Sequence, residues 1–494
     1  MNVDALFAAI AARPADSVVL SDGQRHWSGA EVLAEITHLQ NRLHGAQTLA
    51  VLADNSPAWA LADLAALRAG IAHVPLPGFF SPGQLAHVLE QTAADTVLTD
   101  QPQRITDLQL GFVPCGEWQG LSCLQRPSLP ASLPAGTAKV SFTSGSTGSP
   151  KGACLSADGL LDTAQAVAAR LADLPIERHL AVLPLALLLE NSAGLYAPLL
   201  RGATVLLPSL TTLGWRGMAG FDPAMLHATV SALQAHSVIL VPELLKAWHL
   251  LLAATQQRAP ASLVFAAVGG ARVEAASLQA ARALGLPAYQ GYGLTECGSV
   301  VSLNRPGDDG PGVGRPLDHV RIGIEGEEIR VSARAFLGYL GTPAMPADGQ
   351  ARDYATGDLG HFDAHGHLHL SGRKKHLLIT SFGRNISPEW VEAALLAQPE
   401  ILQAVVSGDA RPFLAAMLVP MPGVDAARLA QAVARANAGL PDYARIGGWV
   451  SCPPFTPING QATGNGRPIR AAILNHHAAA LAALYSQEET HELL

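Results

Sequence analysis

The chain has 494 residues and a formal net charge of −8 at neutral pH. Hydrophobic residues make up 49% of it, which suffices for a large buried core and excludes a disordered or collagen-like protein. The acidic balance, without a strongly basic stretch, argues against a nucleic-acid partner. The five cysteines form no CxxC pair, so we expect neither a disulfide framework nor a structural zinc site.

The predicted elements are short apolar runs that alternate with longer amphipathic segments, a pattern that indicates parallel sheets in an α/β fold. The strands predicted in the first part of the chain are 138–143, 180–183, 203–207, 236–241 and 263–268. The helices predicted between and after them are 159–171, 243–254 and 273–284.

The pattern changes near residue 304. Residues 304–372 contain short apolar runs separated by Gly, Pro and Asp turns, which predicts a small β-rich subdomain. After residue 373 a second α/β unit follows. Its predicted helices are 388–396 and 426–438. Its predicted strands are 404–408 and 413–419.

The N-terminus and the apolar segments favour a cytoplasmic protein. Residues 1–17 carry no basic region ahead of their apolar residues, so they are not expected to form a signal peptide. The most apolar segment, 180–200, is interrupted by Glu190, Asn191 and two prolines. We therefore expect no integral membrane segment.

A loop rich in Gly, Ser and Thr follows the predicted strand 138–143. It reads Thr143-Ser144-Gly145-Ser146-Thr147-Gly148-Ser149-Pro150-Lys151-Gly152. Backbone N–H groups and hydroxyls in such a loop can surround phosphate oxygens, and Lys151 adds a positive charge. The loop is not a Walker A motif, because Pro150 replaces the second Gly and Gly152 replaces the Ser or Thr. The motif therefore indicates phosphate binding outside the P-loop kinases and GTPases.

This loop resembles the phosphate loop of the adenylate-forming superfamily, which includes acyl-CoA synthetases, peptide adenylation domains and luciferases. Five further motifs of the superfamily follow in the same order, and the resemblance covers nearly the whole chain: 290–296 (QGYGLTE), 356–358 (TGD), 372–375 (GRKK), 383–389 (GRNISPE) and 459–470. Several of them are similar to the long-chain fatty acyl-CoA ligase type.

The resemblance implies two domains. An AMP-binding N-terminal domain would span residues 1–373 and contain two parallel-sheet α/β subdomains plus the small β-rich one. A small, mobile α+β domain would span residues 374–494 and swing about Lys374 between two half-reactions.

The resemblance also implies site residues. Thr295 would contact the α-phosphate, Glu296 would hold Mg²⁺, and Lys151 would join them in catalysis. Tyr292 would stack on adenine, and Asp358 would accept hydrogen bonds from the ribose, supported by Arg373. The full set implied for the nucleotide is Thr143, Ser144, Gly145, Ser146, Thr147, Gly148, Gly291, Tyr292, Gly293, Asp358 and Arg373.

The terminal motif departs from the family pattern, because Arg467 occupies the position of the family's catalytic lysine. Lysine occurs at only five positions and nowhere after Lys375. An arginine keeps the charge but is a wider, planar fork. Three interpretations stay open. Arg467 performs the lysine's role; adenylation is impaired, which leaves a protein specialised for the second half-reaction or for another acyl-transfer chemistry; or the chain is a non-catalytic acyl- or nucleotide-binding homologue.

The segment 183–191 occupies the place of the family's acid-pocket motif. Leu187 stands where long-chain relatives often have His, whereas Glu190 matches them. The apolar run suggests a fatty or otherwise apolar acid, although these leucines could equally be ordinary core. The residues assigned to the acid pocket are Leu187, Leu188, Glu190, Gly269 and Gly270.

The expected activity is ATP- and Mg²⁺-dependent ligation of a carboxylic acid to CoA through acyl-AMP. Two alternatives within the class are delivery to the phosphopantetheine of an acyl carrier protein and intramolecular use of the adenylate. The sequence does not identify the acid or the acceptor.

Overall fold

The computed structural model describes residues 2–129, 133–143, 151–217, 220–342, 349–381, 384–464 and 466–489. The strands, in chain order, are β1 (Val18–Ser21), β2 (His26–Ser28), β3 (Thr48–Leu52), β4 (Ala72–Pro75), β5 (Thr96–Thr99), β6 (Val113–Trp118), β7 (Leu121–Gln125), β8 (Thr137–Thr143), β9 (Lys151–Ser156), β10 (Arg178–Leu180), β11 (Thr204–Leu206), β12 (Ser237–Leu240), β13 (Phe265–Val268), β14 (Ala288–Leu294), β15 (Ser299–Leu303), β16 (Arg315–Pro316), β17 (Arg321–Glu325), β18 (Glu328–Ala333), β19 (Phe336–Tyr339), β20 (Arg352–Phe362), β21 (Leu368–Arg373), β22 (Leu378–Ile379), β23 (Asn385–Ile386), β24 (Ile401–Ser407), β25 (Leu414–Pro420) and β26 (Ile446–Ser451).

The α-helices, in chain order, are α1 (Val3–Ala11), α2 (Gly29–Arg42), α3 (Pro57–Ala69), α4 (Pro82–Gln91), α5 (Pro102–Thr106), α6 (Ala157–Arg170), α7 (Ala197–Arg201), α8 (Pro223–Ala232), α9 (Pro242–Thr255), α10 (Ala275–Ala283), α11 (Pro388–Leu396), α12 (Ala426–Ala438), α13 (Arg470–His476) and α14 (Ala478–Glu489). A π-helix spans Glu190–Tyr196, and short 3₁₀ turns span Thr295–Cys297 and Asp442–Ala444.

Two large sheets form the N-terminal part. One has the order β19-β9-β8-β4-β3-β5-β7-β6, and its centre, β8-β4-β3-β5, is parallel. The other has the order β16-β15-β14-β13-β12-β10-β11-β1-β2 and is parallel from β14 to β1. Central strands such as β3 are buried along their whole length, as expected for a parallel sheet covered on both faces. The α/β prediction is confirmed.

Helix α3 is buried from Pro57 to Leu67, and its core cluster includes residues of both large sheets. A helix that is apolar on all sides has to be covered on all sides. Ser56 caps its N-terminus through the amide of Trp59, and Gly70 ends it in the left-handed conformation. This helix is therefore part of the layer that joins the two sheets.

A buried polar cluster lies in the same layer. Asp63 of α3 accepts from Lys139 Nζ of β8 at 2.6 Å and from the hydroxyl of Tyr196 at 2.5 Å. His73 and Asn191 complete the cluster through further bonds to Asp63. Burial raises the pKa of the Asp63 carboxyl, but the charges of Lys139 and His73 outweigh it and hold the pKa far below its usual value.

The predicted strand 180–183 is shifted in the structure, because β10 begins at Arg178 and ends at Leu180. The amide of Leu183 donates to Oε2 of Glu190 at 2.9 Å instead of joining a strand ladder, and Pro184 follows. A side chain of the π-helix thus redirects the backbone where the apolar run alone predicts a continuing strand.

The remaining parts follow the sequence closely. The β-rich subdomain is an antiparallel sheet with the order β17-β18-β20-β21. In the C-terminal part, α11 and α12 cover one face of the sheet β24-β25-β26, and α13 and α14 cover the other. Ala416 on one face and Met417 on the other illustrate the alternation of a two-sided strand. The fold is a large sheet-rich N-terminal domain with a separate C-terminal domain.

Candidate functional site

The candidate site lies at the carboxyl ends of parallel strands β12, β13 and β14. Gly269 and Gly270 directly follow β13, and Tyr292 lies near the end of β14. Carboxyl ends of neighbouring parallel strands meet at one edge of a sheet, which is where ligands bind in open α/β sheets. The fold therefore places the acid-pocket glycines beside the predicted adenine motif.

Asp358 lies between two of the predicted nucleotide residues. Its Oδ2 accepts from the Tyr292 hydroxyl at 2.7 Å, and its Oδ1 lies 2.7 Å from Arg373 Nε. Asp358 and Arg373 are directly paired across β20 and β21. Burial alone would lower the pKa of Arg373, but the Asp358 carboxylate raises it above its usual value. The cluster holds the carboxylate in place, and carboxylate oxygens can accept hydrogen bonds from sugar hydroxyls.

Glu296 lies on the 3₁₀ turn that follows β14 and is held by a tyrosine that the sequence did not reveal. The Tyr339 hydroxyl donates to Glu296 Oε1 at 2.5 Å, and the Tyr354 hydroxyl lies 3.1 Å from that of Tyr339. Burial and the Glu296 carboxylate raise the pKa of Tyr339 well above its usual value, so it stays a donor at neutral pH.

The donor chemistry at Glu296 fits Mg²⁺. Magnesium prefers oxygen ligands and is usually bound through one or two carboxylates together with substrate phosphates and water. Glu296 would supply one such carboxylate, oriented by Tyr339. No group of three or more His, Cys, Asp and Glu side chains that could hold a metal occurs within the described ranges of the chain.

Arg467 reaches this edge from the C-terminal domain. Its Nη2 donates to the carbonyl oxygen of Gly270 at 3.1 Å. Desolvation lowers the pKa of the guanidinium, the Glu243 carboxylate opposes this shift, and the nearby charge of Arg373 adds to it. Gly270 has φ near +91°, and a Cβ there would lie 3.3 Å from Arg467 Nη2. The structure thus brings the substituted arginine to the acid-pocket glycines and toward Arg373.

The predicted acid pocket divides into two groups. Glu190 is fully buried: its Oε1 lies 3.0 Å from His179 Nε2, and its Oε2 accepts from the Leu183 amide. Its carboxylate therefore binds the start of the segment 183–189 in the interior of the protein and does not line a surface. Leu188 is buried as well, whereas Leu187 is partly exposed. A Cβ at Gly269 would lie 3.5 Å from Leu189, a residue the sequence interpretation did not single out.

The phosphate-loop residues Ser144, Gly145, Ser146, Thr147 and Gly148 lie outside the described residues. The flanking positions Thr143 and Lys151 pair with each other at the ends of β8 and β9, so the loop connects two antiparallel strands. Lys151 is exposed. Thr295 begins the 3₁₀ turn that carries Glu296.

Lys374 directly follows β21, at the point where the chain leaves the β-rich subdomain. Its amide donates to Gly357 O at 2.8 Å, and its Nζ donates to Glu328 Oε2 at 3.0 Å. Two residues later, His376 pairs with Glu389 of α11 at 2.5 Å. The predicted hinge position thus lies between contacts to the two parts of the chain.

Gly291 and Gly293 have a structural reason to be glycine. A Cβ at Gly293 would overlap the carbonyl of Ser299 on the paired strand β15, and one at Gly291 would lie 3.0 Å from Ser302 O. We expect Gly293→Ala to separate β14 from β15 and displace Glu296. The free energy of unfolding should fall by about 1–3 kcal/mol. Calorimetry checks this, with Gly323→Ala, where a Cβ meets open space, as the control. Equal stability of the two variants would contradict the expectation.

Two family models match the chain. The model of the AMP-binding enzymes matches residues 7–333, and that of the AMP-binding enzyme C-terminal domain matches residues 375–489. The chain belongs to the AMP-binding enzymes of the adenylate-forming superfamily, which confirms the resemblance seen in its motifs.

Three similar proteins illustrate the range of relatives. Long-chain-fatty-acid–CoA ligase FadD15 of Mycobacterium bovis is 38% identical over 157 residues, which cover 30% of this chain and 26% of that protein. The 2-succinylbenzoate–CoA ligase of Bacillus licheniformis is 28% identical over 391 residues, which cover 74% of this chain and 77% of that protein. The crystal structure of the anthranilate CoA ligase AuaEII with anthranoyl-AMP has a TM-score of 0.78 at 21% identity. The match covers 97% of this chain and 98% of that one, which establishes the fold.

The match with the mycobacterial ligase spans about a quarter of that protein's length. Within the described part of the chain, the structure contains no helix that is long and apolar enough to cross a membrane.

Proposed function

We propose that the chain is an acid–thiol ligase that activates an apolar carboxylic acid with ATP and transfers the acyl group to CoA. The observation that carries the proposal is the position of Arg467, which the C-terminal domain presents at Gly270, within electrostatic range of Arg373. Arg373 in turn holds Asp358, the ribose candidate. These contacts support one site that would bind the sugar, the phosphates and the acid.

In the first half-reaction, a carboxylate oxygen of the acid attacks the α-phosphorus of ATP, and pyrophosphate leaves. Negative charge accumulates on the phosphate oxygens, so oriented cations and N–H donors lower the barrier. Arg467 would act there as a guanidinium fork, and Thr295 and Lys151 would assist it. Mg²⁺, held by Glu296, would neutralise phosphate charge.

Tyr292 and Asp358 would bind the adenosine part. The hydrogen bond between them fixes the ring relative to the carboxylate, so the adenine and ribose positions are set together. Arg373 neutralises Asp358 and limits the cost of burying its charge.

In the second half-reaction, the thiol sulfur of CoA attacks the acyl carbon, its proton passes to solvent, and AMP leaves. Arg467 would withdraw when the C-terminal domain turns about Lys374. We place the boundary between residues 373 and 374. Arg373 still pairs with Asp358 on the N-terminal side, whereas His376 already pairs with α11.

The acid is proposed to be fatty or aryl. The partly exposed Leu187 and the contact between Leu189 and Gly269 give the pocket apolar walls. The fatty, succinylbenzoate and anthranilate ligases named above support an acid with a large apolar part and CoA as acceptor. A carrier-protein phosphopantetheine is the alternative acceptor.

The test combines purified protein, ATP and Mg²⁺ with a pool of fatty and aryl acids, with and without CoA, and detects products by mass spectrometry. Acyl-AMP that CoA converts to a thioester supports the proposal, and the product mass identifies the acid. Acyl-AMP that resists CoA would point to a carrier protein. Absence of acyl-AMP with every acid would refute autonomous adenylation, and synthetic acyl-adenylates with CoA would then test the second step alone.

A further inference from the structure

Lys246, one of the five lysines of the chain, lies in an unusual environment at the contact between the two domains. It belongs to α9 of the N-terminal domain, yet its Nζ donates to three backbone carbonyls of the C-terminal domain. The acceptors and distances are Leu396 O at 2.6 Å, Gln398 O at 2.7 Å and Ile401 O at 2.6 Å. An ammonium group has three N–H donors, so all of them are used across this contact.

The three carbonyls lie where the C-terminal domain leaves acceptor capacity open. Leu396 is the last residue of α11, where carbonyls lack intrahelical partners and the helix dipole is negative. Gln398 lies two residues further on, and its carbonyl also accepts from the Ile401 amide at 3.3 Å. Ile401 lies on β24, an edge strand of the sheet β24-β25-β26. The Met421 amide donates to Glu400 O, so the carbonyl of the next residue, Ile401, faces away from β25. A cation from the other domain therefore donates to carbonyls that α11 and β25 leave available.

The charge state of Lys246 suits this role. Burial lowers the pKa of Lys246 to about 8, while the nearby carboxylates of Glu400 and Glu243 oppose the shift. At neutral pH the group therefore keeps its charge and its three donors, and charge-assisted hydrogen bonds are the stronger kind.

The contact lies close to the position of Arg467. Glu243, on the first turn of α9, acts electrostatically on both Lys246 and Arg467. Val241, which precedes α9, would lie 3.7 Å from a Cβ at Gly270, whose carbonyl accepts from Arg467. The two interdomain contacts therefore rest on adjacent pieces of the N-terminal domain, and the first helps to fix the orientation in which the second forms.

We propose that Lys246 is a positioning residue that holds the C-terminal domain in the orientation that presents Arg467 for adenylate formation. The inference rests on the proposed function. A rotation of the C-terminal domain that carries both Arg467 away from Gly270 and the three carbonyls away from α9 breaks these three hydrogen bonds. Lys246 thus stabilises the orientation of the first half-reaction and not that of the second.

The test measures the two half-reactions separately in Lys246→Met, which removes the ammonium but keeps a long side chain. We expect pyrophosphate–ATP exchange to fall about tenfold. Thioester formation from synthetic acyl-adenylate and CoA should stay equal or rise. The matched control is Arg258→Met, because Arg258 Nη1 donates to Ala283 O within the N-terminal domain. Equal losses in both half-reactions, or no loss in the first, would overturn the positioning role.

Hydrogen exchange on the full chain without ligands supplies a second readout that needs no turnover. In Lys246→Met we expect faster exchange at the amides of Gln398 and Ile401, with the unfolding midpoint close to that of Arg258→Met. Unchanged exchange would overturn the positioning role alone. Wild-type protein that forms no acyl-adenylate would instead overturn the ligase proposal, and the exchange result would still report whether Lys246 holds the domains together.

Discussion

Arg467→Ala is expected to lower the rate of acyl-adenylate formation by about 10²–10³-fold, the range seen when one oriented donor is removed from a developing oxyanion. Arg467 Nη2 lies 3.1 Å from Gly270 O, so its charge would act on a phosphate placed beside it. Thioester formation from synthetic acyl-adenylate should change little, because Arg467 would act in the first half-reaction.

Arg467→Lys tests whether the site has adapted to arginine. A lysine offers a compact charge in place of a planar fork, so it cannot donate to Gly270 O and a phosphate oxygen in the same geometry. We therefore expect pyrophosphate–ATP exchange to fall, by less than in Arg467→Ala. Arg445→Ala is the matched control, since Arg445 Nε donates to carbonyls of its own domain at Asn437 and Leu440. A large gain in Arg467→Lys would contradict adaptation and indicate a native protein impaired in adenylation.

The second large effect concerns stability. Lys139→Met should lower the free energy of unfolding by about 3–5 kcal/mol, because it leaves the Asp63 carboxylate buried without its principal cation. Both side chains are at most 2% exposed, so water cannot replace the lost partner. Thermal and denaturant unfolding measure the change.

The control for this experiment is Lys375→Met, which removes an exposed lysine and should stay within about 0.5 kcal/mol of wild type. The double variant Asp63→Asn/Lys139→Met removes both charges and is expected to recover part of the loss. Equal stability of Lys139→Met and Lys375→Met would show that the buried pair does not stabilise the fold.

Much of the fold could be predicted because its strands are short, continuous apolar runs between helices. The predicted strand 236–241 is β12, and the predicted helix 388–396 is α11 residue for residue. The error at 180–183 has a cause outside the predicted strand: the Leu183 amide donates to Glu190, seven positions further on, and periodicity contains no information about that bond.

The motifs alone indicate Asp358 and Glu296 as candidate site residues. The side chains that contact them were harder to predict. Tyr339 reaches Glu296 from 43 positions away, and Lys139 reaches Asp63 from 76 positions away, so only the folded chain brings them together. Lys246 gave no signal beyond being a rare lysine, because its acceptors are backbone carbonyls, which every residue possesses.

The π-helix Glu190–Tyr196 restricts how substitutions can alter the proposed acid pocket. Its consecutive residues Glu190 and Asn191 are tied to opposite sheets, the first through His179 of β10 and the second through Asp63 and Lys139. These hydrogen bonds to both sheets hold the backbone of the adjoining segment 183–189 in place. For the proposed acid pocket, changes of side-chain volume at Leu187 and Leu189 are therefore expected to alter acid selectivity without a shift of this backbone.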